Sequence, residues 1–86
     1  MISQATFQVE DIFSIEGRGI VVVGKLTNGI AKKGMRGVIN GKQSEITSIE
    51  AENKSLESIT TGMPAGLLLS NINKDDVQKG NTYSFQ

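Results

Sequence analysis

Val9–Gly34 reads VEDIFSIEGRGIVVVGKLTNGIAKKG. Two apolar runs, Ile12–Ile15 and Ile20–Leu26, meet at a Gly17-Arg18-Gly19 corner. Ile20 to Val23 is uncharged and β-branched, which favours an extended chain. The run predicts a strand buried on both faces. The corner glycines let the chain reverse where side chains would clash. Further breaks fall at Asn28-Gly29 and at Gly34. This stretch reads as the central ribbon of a small barrel, with the later strands wrapped around it.

Working outward, Thr6–Ile15 forms the first strand, with Phe7, Val9, Phe13 and Ile15 in one phase and Thr6, Gln8 and Glu10 in the other. Asp11 falls in the apolar phase. Its charge must be satisfied by nearby backbone N–H groups, or the register must slip at a bulge. Gly19–Leu26 is the second strand. Asn28-Gly29 predicts a hairpin, because both residues tolerate positive φ. Lys32-Lys33-Gly34 is a turn, and Met35–Asn40 is a third strand closed by Gly41-Lys42. Within Ser44–Glu52, Ile46 and Ile49 lie out of phase, which predicts a kink or bulge near Ser48. Leu56 and Ile59 would permit a helical turn by spacing, but the following Thr60-Thr61-Gly62 favours a short strand. Pro64 cannot donate to a ladder, so Gly62–Ala65 is expected to be a loop. Gly66–Leu69 is a buried strand. Asn71–Lys79 is a connection containing one helical turn capped by Asn73, and Thr82–Phe85 closes the fold.

The 86 residues predict one all-β domain over 1–86, a small closed antiparallel barrel of six to seven strands. The ten glycines supply the bends that closure needs. There is no Cys and no His, which removes disulfides, thiolate metal sites and the commonest general base. No cofactor, metal or catalysis is expected. Nine basic and nine acidic residues balance, so strong sequence-independent nucleic-acid binding is not expected. No apolar run approaches the ~20 residues that span a bilayer, and no signal peptide is visible. The expectation is a cytoplasmic protein with no membrane contact.

Two motifs imitate a nucleotide site. Gly19–Leu26 matches most of the phosphate-loop pattern, but Leu26 has no hydroxyl for magnesium, and Ile20–Val23 favours an extended chain over an anion cradle. Asn73-Lys74-Asp75-Asp76 resembles a guanine-reading motif, but a short strand-rich chain lacks the α/β sheet around it. It reads as a polar capped turn, with the carboxylates of Asp75 and Asp76 solvated. The adjacent Glu10 and Asp11 point to opposite faces of a strand and do not converge.

The string Val9–Lys25 resembles the second domain of the translational GTPases, most closely that of elongation factor EF-Tu. The similarity continues through Asn28-Gly29, Lys33-Gly34, Ile46–Glu50, Lys54–Leu56, Ala65–Leu69 and Asp75–Gly80. It covers roughly Phe7 to Tyr83, without a GTPase domain. The resemblance implies a non-catalytic β-barrel that helps hold the aminoacylated 3′ end of transfer RNA. Its terminal adenine would lie in an apolar slot matched here by Ile15, Gly17, Val21 and Leu68, with Glu50 as the polar group. The implied partners are that RNA end or another RNA, and a GTPase domain or other protein; the chain is expected to be a monomer or weak homodimer. Departures are Ile20 where the family usually has Thr, Ser70-Asn71 where it has Arg-Gly, and Asn53 where it often has a basic residue. They keep a second expectation alongside, a protein-interaction or regulatory module that has lost RNA binding. Ile2 and Ser70-Asn71 also suggest a natural stand-alone relative.

Overall fold

The computed structural model describes residues 4–86, so Ile2 lies outside the described residues. Nine strands follow in order: β1 (Ala5–Ile15), β2 (Gly19–Asn28), β3 (Ile30–Lys32), β4 (Arg36–Ile39), β5 (Lys42–Ala51), β6 (Lys54–Leu56), β7 (Ser58–Thr60), β8 (Pro64–Leu69) and β9 (Thr82–Phe85). A 3-10 turn, Lys74–Asp76, sits between the last two. The main sheet runs β4-β5-β8-β2-β1-β9, with β6 added to β5. All its pairs are antiparallel. Its two ends meet where Arg36 and Gln86 exchange main-chain hydrogen bonds, each 2.8 Å. Gly37 makes this seam possible, since a Cβ there would stand 2.3 Å from the Ser84 carbonyl oxygen. β3 and β7 form a separate two-stranded pair. The expected antiparallel barrel is the observed fold.

The interior is filled by one side of each strand. Phe7, Leu26, Ile39, Ile46, Ile49, Leu67 and Phe85 are fully buried. Each such side chain contributes roughly 1.5–3 kcal/mol through removal from water. Ser44 is the buried polar residue among them, and its hydroxyl donates to the Ser70 carbonyl at 2.6 Å.

Three register shifts interrupt the strand pairing, one at Thr27 where Thr6 and Phe7 face Asn28 and Leu26, and two, in β1 and β5, that set the phase of this alternation. In β1, Val9 pairs with Gly24 and Asp11 with Val23, so Glu10 is extra. The common phase expected for Phe7, Val9, Phe13 and Ile15 therefore breaks at Glu10. Phe7 and Val9 are buried, Ile12 takes over the core, and Phe13 and Ile15 are 51% and 39% exposed. The Asp11 carboxylate is satisfied as its position requires. It accepts from the Ile12 N–H at 2.9 Å and faces Lys79 Nζ at 3.3 Å. The Ile12 N–H, with the Lys79 side chain second, holds its pKa below the ordinary carboxylate value. In β5, the register shifts between Ile46 and Ser48. This is the bulge expected near Ser48, and it puts Ile46 and Ile49 into the core together.

Several local expectations change. Ile20–Val23 is extended between β1 and β8, but only Ile20 and Val22 are buried; Val21 and Val23 face outward and are half-covered. Asn28-Gly29 is a corner, not a hairpin, because β3 leaves β2 and pairs with β7. The Gln4 carbonyl oxygen lies 2.1 Å from where a Gly29 Cβ would stand, so close packing fixes the glycine there. Asn40-Gly41 makes the tight hairpin instead, joining Ile39 to Lys42 with φ of 51° and 77°. Pro64 opens β8, where its missing N–H is tolerated. The segment after Asn53 is two short strands, broken at Glu57.

Asp76 is not a solvated carboxylate. It accepts from Asn40 Nδ2 at 2.8 Å, Lys42 Nζ at 2.9 Å and the Asn73 N–H at 2.8 Å. The last bond closes the cap of the 3-10 turn, with Asn73 at the cap position.

Candidate functional site

Because β1, β2, β8 and β5 lie side by side, their registers align outward-facing residues in rows. One row runs Phe13, Val21, Leu68, Ser48; the next runs Val23, Gly66, Glu50. These rows floor a cleft of about 420 Å³ on the outer face of the sheet. Ile15 lines it from the end of β1. Arg18 reaches it from the β1–β2 turn, and Glu52 and Asn53 from the β5–β6 turn.

Gly66 keeps the floor low. A Cβ there would lie 3.4 Å from a Val21 methyl and 3.9 Å from a Val23 methyl, ordinary contact that would fill the space. The β5–β6 turn joins Ala51 to Lys54 through Glu52 and Asn53, at φ of 54° and 63°. Both are left-handed without being glycine, a conformation that is uncommon for Glu.

Of the expected slot residues, Ile15, Val21, Glu50 and Leu68 all line this cleft. Gly17 does not line it; it sits in the adjoining β1–β2 turn at φ 78°, with no heavy atom within 4 Å of where a Cβ would stand. Sequence reasoning misses Phe13, Arg18 and the Glu52-Asn53 turn. Simple alternation assigns Phe13 to the core phase, and only the bulge at Glu10 turns it outward. Val23 and Gly66 follow from Val21 and Leu68 once the register is known.

Chemically, the cleft offers an apolar floor, two carboxylates and one guanidinium. A flat ring can lie on such a floor, and a carboxylate can accept from an amino or hydroxyl group. Among the described residues, no group of three or more His, Cys, Asp or Glu side chains is placed to hold a metal ion. No helix there is long and apolar enough to cross a membrane.

The strands form a small antiparallel β-barrel with an apolar-floored cleft on its outer face. The chain belongs to the elongation factor Tu domain 2 family, whose sequence pattern matches residues 19–84. Its fold is also that of two longer translation factors. Translation elongation factor SelB from Methanococcus maripaludis is 21% identical, with a TM-score of 0.85 over 95% of this chain and 18% of its own. A bacterial selenocysteine-specific elongation factor, EF-Sec, is 20% identical, with a TM-score of 0.80 over 96% of this chain and 14% of its own. The chain thus spans less than a fifth of either protein. The barrel is a domain 2 of the kind found in translation elongation factors.

Proposed function

We propose that the cleft binds the aminoacylated 3′ end of a transfer RNA, as a non-catalytic module acting in translation. The observation that carries this reading is the convergence of Ile15, Val21, Leu68 and Glu50 on one open surface. The family resemblance of the sequence implies these four residues together with Gly17, which sits in the adjoining β1–β2 turn and does not line the cleft. The terminal base lies on Val21 and Leu68, and Glu50 accepts a hydrogen bond from its amino group or from the ribose. Gly66 gives the ring room against the sheet. The balanced charge of the chain supports end recognition in preference to extended backbone binding. Action in the cytoplasm belongs to the same proposal.

The test is a 15N–1H titration with aminoacyl-adenosine and with a short CCA-ended RNA. Shifts concentrated at Ile15, Gly17, Val21, Glu50 and Leu68 are expected. Silence at millimolar ligand overturns the reading.

A further inference from the structure

Two Asn-Gly pairs lie where the chain turns, and the fold treats them differently. Glycine after asparagine leaves its main-chain nitrogen unshielded, which opens the pair to spontaneous deamidation. At Asn40-Gly41 the Gly41 nitrogen would attack the side-chain carbonyl carbon of Asn40. The amide nitrogen takes up the proton and leaves as ammonia, and a cyclic imide forms. Water opens the imide at either carbonyl, giving aspartate or isoaspartate. Asn40 and Gly41 are both exposed, in the two-residue turn between β4 and β5. Among the described residues no heavy atom lies within 4 Å of where a Gly41 Cβ would stand, so the ring has room to close. Asn28-Gly29 is held instead. Asn28 lies in the ladder opposite Thr6, the Gly29 carbonyl accepts from Thr61 Oγ1 at 3.1 Å, and the Ala5 Cα lies 3.2 Å from where a Gly29 Cβ would stand. An imide there would have to turn a peptide that its neighbours fix.

Asn40 also has a partner that reads its chemical state. Its Nδ2 donates to Asp76 Oδ1 at 2.8 Å, while Lys42 Nζ stands 2.9 Å from Asp76 Oδ2. The Asn40 bond is exposed, so it opens readily for the attack. It cannot re-form afterwards. An ionised carboxylate has no N–H to donate, and it repels the carboxylate it then faces. Lys42 is left between two anions. The isoaspartate product also adds a main-chain carbon to a turn whose geometry depends on its two-residue length. We propose that Asn40 is a self-modification site, whose conversion to a carboxylate irreversibly releases the 3-10 turn Lys74–Asp76 from the β4–β5 hairpin. The device needs only water and runs one way, so this contact records the age of the chain.

The experiment holds the chain folded in mildly alkaline buffer and, in parallel, unfolded in urea, and maps both over time by peptide mass spectrometry. In urea both Asn-Gly pairs are expected to convert. In the folded chain Asn40 is expected to convert while Asn28 remains an amide. Conversion of both at one rate in the folded chain, of Asn28 alone, or of neither, overturns the assignment. Failure of Asn28 to convert in urea overturns the role given to the fold. The consequence is read on Asn40→Asp, which keeps a residue that tolerates positive φ and changes only the donor and the charge. Its 15N–1H spectrum is expected to shift at Asn73–Val77 as well as in the hairpin, and the aged chain is expected to gain the same shifts. Unmoved peaks at Asn73–Val77 in both overturn the release of the turn.

Discussion

The Asp76 carboxylate reaches Lys42 Nζ at 2.9 Å, although the two residues are 34 positions apart. With Asn40 on the other carboxylate oxygen, this contact ties the 3-10 turn to the β4–β5 hairpin. The Asn73 N–H, then Asn40 and Lys42, lower the pKa of Asp76 from 3.8 to about 2. A carboxyl that titrates lower when folded stabilises the fold fully above its unfolded value, and that contribution is lost as pH falls through the folded value. Stability is therefore expected to fall between about pH 4 and about pH 2. Asp76→Asn should lower stability at neutral pH and flatten this acid limb. Asp11 acts in the same direction, so the flattening is partial. Urea melts at stepped pH check this; an identical acid slope in the variant counts against it.

Gly24 faces the β1 bulge, and a Cβ there would lie 1.8 Å from the Gln8 carbonyl oxygen. The obstruction is backbone, so it cannot be relieved by turning a side chain. Gly24→Ala is expected to cost at least about 2 kcal/mol in chemical denaturation. A loss within about 0.5 kcal/mol, as for an ordinary surface change, would contradict the packing described.

Removing Thr47 should be tolerated. Without it, Ile46, Ser48 and Ile49 fall on the consecutive partners Leu69, Leu68 and Leu67 that they already have. Both isoleucines stay in the core. The cost is the bulge's extra twist and the Thr47 hydroxyl bond to the Leu68 carbonyl, 3.1 Å, together below about 2 kcal/mol. Removing Glu50 instead should unfold the domain, since Ala51 and the turn beyond would change faces. Amide spectra of the two deletions distinguish the outcomes.

Gly66→Ala should separate binding from folding. Its backbone φ suits any residue, and the added methyl meets Val21 and Val23 at ordinary contact. The melting temperature should change little or rise slightly, because alanine restricts the unfolded chain. Affinity for aminoacyl-adenosine should fall several-fold. An unchanged affinity would mean that the ring does not approach this part of the floor.

The fold is readable because Ile20–Val23 is β-branched and glycines punctuate the chain. Ile46 and Ile49 even announce a bulge by being out of step. The β1 bulge is less accessible. Asp11 signals a problem at that point, but either a satisfied carboxylate or a slipped register would answer it, and the molecule uses both. Four site residues come through resemblance, since Ile15, Val21 and Leu68 look like any barrel aliphatics. Glu52 and Arg18 are hidden for another reason. Their placement depends on which turns overhang the same patch of sheet, and that is a matter of topology. The two Asn-Gly pairs show the limit of local rules. Both favour a reversal, yet only Asn40-Gly41 has a neighbouring strand to return to.

The extra residue at Glu10 divides one strand between two duties. Before it, Phe7 and Val9 are answerable to the interior; after it, Phe13 and Ile15 are answerable to whatever settles on the outside. A lineage could rewrite the second pair to suit a new ligand while the first pair stays untouched. Durability and selectivity can thus drift separately within eleven consecutive residues.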